Sequence, residues 1–132
     1  MILSLTATPG GISYPFTGGF APACCALESF SKNLASELGV YGIRVVNIGP
    51  ESSLIQRYLK KRSPKILKGC GPIIRKMEED TMLKKLPLMA DIANAAVFLA
   101  SDMAGKITGV TIDVTCGTTA GLNYRVLPTA YE

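Results

Sequence analysis

The residues of this chain that could carry chemistry are few, and their types exclude more than they allow. Cysteines stand at positions 24, 25, 70 and 116, none in C-x-x-C spacing, and there is no histidine. Zinc sites need thiolates and imidazoles at close, fixed separations, so no metal centre is expected. Without an imidazole, the Ser-His and Cys-His nucleophile pairings are excluded too. Cys24 and Cys25 are neighbours in a stretch with helical spacing. Adjacent side chains on a helix point about 100° apart, so these two are poorly placed to bond to each other, and the cysteines read as small buried apolar residues. What remains is a scatter of hydroxyls and carboxylates and a run of cations. Arg57, Lys60, Lys61, Arg62, Lys65, Lys68, Arg75 and Lys76 have no acid among them. Such a run is a solvated face or, over 57–68, a site for a phosphate-bearing substrate. No aromatic or glycine-rich pattern accompanies it, which argues against nucleic acid.

The elements that must position these groups alternate in type. Met1 to Ala7 is short, apolar and followed by Pro9-Gly10-Gly11, which fits a buried strand. FAPACCALESFSKNLASEL, Phe20 to Leu38, has apolar residues at Ala23, Ala26, Leu27, Phe30, Leu34 and Leu38, the spacing of one helical face. Pro22 sits in the first turn, where its missing N–H costs little, and Gly39 marks the stop. The core face is therefore expected to be Ala23, Ala26, Leu27, Phe30 and Leu34. Ile43 to Ile48 is nearly continuously apolar, as in a parallel strand covered on both sides. Residues 52–88 form a basic, weakly patterned insertion, with short helices expected at Leu54–Lys61 and Pro72–Leu83. Asp91 to Ala100 is a further helix, with Ile92, Ala95, Ala96 and Leu99 on one face, and Ile107 to Thr115 a third strand. The length, 132 residues, suits a single domain over 1–132. Apolar residues make up 48% of the chain, yet no run reaches the ~18 residues that span a bilayer. MILSLTATPGG has neither the basic start nor the apolar core of a signal peptide, so a cytoplasmic protein without membrane contact is expected.

Four stretches together resemble the short-chain dehydrogenase/reductase family. ILSLTAT is similar to the strand that ends in that family's catalytic serine, and ALESFSKNLASELGVYGIRVVNIGP to its active-site helix and following strand. LPLMADIANAAVFLASDMAGKITG resembles the helix and turn written P-E-D-I-A-N-A-V-x-F-L-A-S-D…I-T-G, and IDVTCG the closing V-D-G-G strand. The resemblance implies an α/β fold: a partial Rossmann-like parallel sheet, the last three strands and their helices of a doubly wound domain. It places 52–88 where the family has its substrate lid. The family's opening strand and T-G-x-x-x-G-x-G loop, which receives a dinucleotide's pyrophosphate, has no match in these residues; Gly18-Gly19 follows no such fingerprint.

The resemblance also implies a catalytic set. The family uses a tyrosine as general acid/base, a lysine one helical turn later that lowers its pKa and holds the cofactor ribose, and a serine on the preceding strand that orients the carbonyl. Anchoring on Ala26-Leu27-Glu28 puts Phe20 at the tyrosine position, Cys24 at the lysine position and Ala7 at the serine position. Phenylalanine has no proton to give, and a thiol supplies no fixed cation. Thr6, Thr8 and Tyr14 are the remaining hydroxyl candidates. Pro50, Glu51 and Ser52 take the cofactor-facing positions, Glu51 replacing a glycine that lets backbone approach the nicotinamide. Ile55 lies near the place of the threonine that holds the carboxamide, and Val46 stands where the family prefers asparagine.

Three functions compete. The first is a short-chain dehydrogenase/reductase-like polypeptide that is inactive on its own and takes no cofactor by itself, although family resemblance implies NAD or NADP. The second is an active NAD(P)-dependent reductase of an acyl-CoA-like or carbonyl substrate within a longer chain. The third is a non-catalytic oligomerisation or interaction module. The family's active-site helix packs between subunits, so the resemblance implies a homo-oligomer or a missing N-terminal half, with Cys25, Ser29, Asn33 and Ser36 toward the partner.

Overall fold

The computed structural model describes residues 1–7, 18–50, 72 and 74–118. Three parallel strands form one sheet in the order β1 (Ile2–Leu5), β2 (Val45–Pro50), β3 (Val110–Val114). Helix α1 (Phe20–Leu38) lies between β1 and β2 in the chain, and α2 (Met89–Ala100) between β2 and β3. This is the α/β architecture implied by the alternating patterns. β2 is the central strand and all six of its residues are buried, as its apolar composition requires.

Pairing sets the strand limits. Ile2 aligns with Val45 and Leu5 with Ile48, while Val46 aligns with Val110 and Pro50 with Val114. β2 therefore runs two residues beyond the expected Ile48 and begins at Val45 instead of Ile43. Its start is held by the Ile-Thr-Gly turn: the Thr108 hydroxyl accepts the Val45 N–H at 3.0 Å, and the Gly109 N–H donates to the Val45 carbonyl at 2.8 Å. α1 stops as expected, with a 3-10 turn (Gly39–Tyr41) after Leu38. Gly42, at φ 70°, ends that turn in the left-handed region where glycine carries no steric penalty.

The two faces of the sheet differ in chemistry. On the α2 face, Val46, Ile48, Ile92, Leu99 and Ala104 form a buried apolar cluster, with Leu3, Ala95, Ala96, Ile107, Ile112 and Val114 packed against it. The helical spacing located this contact correctly. α2 begins at Met89, two residues before Asp91, whose carboxylate reaches back to accept the Leu88 N–H at 2.7 Å, a favourable charge for a helix N-terminus.

On the α1 face the expected packing is wrong in part. Ala23 and Ala26 are exposed and Phe30 is 59% exposed. The residues of α1 that close against the sheet are Cys24, Ser31 and Ala35, with Leu27, Glu28, Leu34 and Leu38 half-buried. The reason lies in the strands: the Thr6 hydroxyl lies against Glu28 of α1, Ser31 of α1 donates to Asn47, and Ser4 donates to the same Asn47 oxygen. An apolar stripe would leave them unpaired. Cys25 is exposed, against the expectation that the cysteines are buried.

Residues 74–80 are helical and the turn at 81–83 ends them, so the expected Pro72–Leu83 helix is shorter at its C-terminus; the expected Leu54–Lys61 helix lies outside the described residues. The turn is organised by Thr81, fully buried, whose hydroxyl accepts the Lys85 N–H at 3.0 Å and lies 2.9 Å from the Glu78 carbonyl oxygen. It docks on the end of β3 through the Leu83 N–H, which donates to the Cys116 carbonyl at 3.1 Å. Among the described residues no helix is long and apolar enough to cross a membrane, and no group of His, Cys, Asp or Glu could hold a metal ion.

Candidate functional site

In open parallel α/β sheets, ligands bind beyond the carboxyl ends of the strands. Here those ends are Thr6 and Ala7 after β1, Pro50 at the end of β2, and Thr115 to Gly117 after β3. The first turns of α1 carry Phe20 and Cys24, which the resemblance puts at the tyrosine and lysine positions. The structure thus assembles at one end of the sheet several residues that the sequence singled out, and it separates their orientations.

Thr6 is buried; its N–H donates to the Ile48 carbonyl at 3.0 Å, continuing the ladder one step past β1. Its hydroxyl turns inward, 3.4 Å from the same carbonyl and 3.5 Å from Glu28 Oε1. Both contacts are long for hydroxyl bonds. Ala7, at the serine position, is half-buried and offers no hydroxyl. Phe20 opens α1 and is 57% exposed. One turn later Cys24 is 8% exposed, closed against the sheet. Pro50 is buried. Thr8, Tyr14, Glu51, Ser52 and the cationic run 57–68 lie outside the described residues.

The set is therefore a ring without an ionisable proton, a covered thiol, and a hydroxyl beside a carboxylate. The Thr6 hydroxyl faces Glu28 at 3.5 Å, and Phe20 presents only apolar surface.

Sequence reasoning missed the polar group one step deeper. Asn47, 1% exposed, accepts through Oδ1 from the Ser4 hydroxyl and, at 2.9 Å, from the Ser31 hydroxyl, while its Nδ2 donates to Thr111 Oγ1 at 3.5 Å. Its signal was available: an asparagine inside the β-branched run IRVVNI must find partners when buried. Ser31, in the middle of the helix, is the matching half.

The sheet with its two crossover helices is similar to that of known proteins. The family described as enoyl-(acyl carrier protein) reductase matches residues 1–119. An enoyl-[acyl-carrier-protein] reductase [NADH] of Bacillus cereus is 35% identical over 97 residues, which cover 72% of this chain and 35% of that protein. An oxidoreductase of the short-chain dehydrogenase/reductase family from Burkholderia thailandensis superposes with a TM-score of 0.71 at 27% identity, over 91% of this chain and 44% of that one. A 4-hydroxyisoleucine dehydrogenase mutant, solved with NADH and succinate, gives a TM-score of 0.77 at 26% identity, over 92% of this chain and 48% of that one. The chain thus spans less than half the length of these proteins. With a matched span from the first strand through the last, and a sheet, crossover helix and Ile-Thr-Gly turn in the same order, the chain belongs to the short-chain dehydrogenase/reductase family.

Proposed function

We propose that this polypeptide of an oxidoreductase family does not catalyse hydride transfer by itself and that it associates with further protein through the outer side of α1. One observation carries the first part. In the register that the resemblance implies, Phe20 takes the position of the family's proton donor and Cys24 that of its cation, and the Cys24 side chain is closed against the sheet. A nicotinamide nucleotide bound in the family's manner needs a fixed cation at its ribose and an ionisable hydroxyl at the reacting carbonyl. Phe20, Cys24 and Ala7 supply neither, so no step through the nucleotide is assigned to this chain. Thr6 retains a hydroxyl, but Glu28 and the Ile48 carbonyl draw it inward.

The second part rests on exposed surface. Phe20, Ala23, Ala26 and Phe30 lie exposed along α1, beside the exposed small residues Ser29, Asn33 and Ser36. Apolar area of this kind, rimmed by polar groups, marks protein contacts.

Titration of the purified chain with NADH, followed by nucleotide fluorescence, tests the catalytic reading. The expected result is no saturation up to about 1 mM, which corresponds to roughly 4 kcal/mol of binding. Saturable binding in the low micromolar range would overturn it.

A further inference from the structure

We infer that Asn47 is a positioning residue: its hydrogen bonds, rather than the apolar residues of α1, set the roll of that helix about its own axis. Asn47 sits mid-way along the central strand, and its one amide joins Ser4 of β1, Ser31 of α1 and Thr111 of β3. Thr6 and Glu28 add a second polar contact between β1 and α1. The helix meets these groups with Cys24, Ser31 and Ala35. Its apolar residues at 23, 26, 27, 30 and 34 centre about 100° away around the axis, taking about 100° per residue. Packing alone would turn that stripe onto the sheet. It does not, because the turn would strand a buried amide and the hydroxyls bonded to it, and an unpartnered buried polar group costs more than its hydrogen bond returns.

The roll decides what the helix presents. It closes Cys24 against the sheet, turns Cys25 to solvent and leaves Phe30 outward. Asn47 thus acts on the family's lysine position through the helix, without touching it. The roll is a property of the folded chain and does not depend on whether a nucleotide binds.

Cys24 is its own reporter. In a Cys25→Ser background, pulsed iodoacetamide labelling with peptide mass spectrometry reads the Cys24 rate separately from those of Cys70 and Cys116. Asn47→Leu removes the hub while keeping a similar volume. The expected result is a rise of about tenfold or more in Cys24 labelling, with a dependence on denaturant much shallower than that of global unfolding, the signature of a local change. Ser31→Ala removes a single bond and should move the rate the same way, while Ser31→Thr, which keeps the hydroxyl, should leave it near the parent. A Cys24 rate unchanged in Asn47→Leu overturns the inference. So does a rise that carries the full slope of global unfolding, because the amide would then contribute stability without setting the roll. Should Asn47→Leu fail to fold, the Ser31→Ala and Ser31→Thr pair decides by the same criteria: equal Cys24 rates in the two overturn it.

Discussion

Replacing Arg44 with methionine tests whether a single guanidinium fastens the C-terminal end of α2 to the central strand. Arg44 is half-buried just before β2 and donates to the Leu99 carbonyl at 2.8 Å, the Ser101 carbonyl at 3.3 Å and the Ile107 carbonyl at 3.5 Å. Leu99 and Ser101 lie at the end of α2, where the last carbonyls have no partner within the helix and carry partial negative charge. Only the Leu99 bond is short, so the other two add little. A hydrogen bond from a charged donor contributes about 1.5–3 kcal/mol, and a cation at a helix C-terminus about 0.3–1 kcal/mol. Water can replace part of this around a half-exposed group, which places the expected loss near 2 kcal/mol, in the lower part of that sum. Methionine keeps most of the apolar stem, so the change reports the head group more than packing. With a urea slope of roughly 2 kcal/mol/M, the unfolding midpoint followed by far-UV circular dichroism should fall by about 1 M. Arg44→Lys, which can reach one carbonyl but not several, should recover about half of that shift. A fall smaller than about 0.2 M for the methionine variant would refute the assignment, since it corresponds to less than roughly 0.5 kcal/mol.

Two further outcomes follow from local geometry. A Cβ on Gly117 would stand 2.6 Å from the Cβ of Met82, on a backbone at φ +93°. Gly117→Ala should therefore destabilise by about 1–3 kcal/mol, seen as a lower thermal midpoint, and adding Met82→Ala should relieve the contacts with the Met82 Cγ and Sδ but neither the one with its Cβ nor the backbone strain, so only part of the loss should return; an unchanged midpoint in the single variant would contradict this. Ser29 is exposed on α1, so Ser29→Arg should shift the chain toward smaller species in size-exclusion chromatography with light scattering while its circular dichroism is unchanged. A wild type that runs as a monomer, or an oligomer indifferent to Ser29→Arg, removes α1 as the contact.

The sequence alone determined the order strand, helix, strand, helix, strand, because each element carries its own period. IRVVNI reads as a doubly covered strand, although the strand begins at Val45, and Ile92, Ala95, Ala96 and Leu99 read as one face of a helix. The sequence motifs also carry the resemblance from which Phe20, Cys24 and Ala7 are proposed for the family's catalytic positions. The tertiary structure decided where α1 points. The helical spacing nominated Ala23, Ala26 and Phe30 for the core, and the structure places them outside. That spacing describes one helix, whereas burial depends on the surface opposite. Here that surface includes Ser4 and Asn47, brought together only when β1 and β2 pair in the register that aligns those two residues. The hydroxyl of Ser31, which the sequence leaves as one polar residue among many, then outweighs a phenyl ring, because in a dry interior an unpaired amide costs more than an exposed aromatic face.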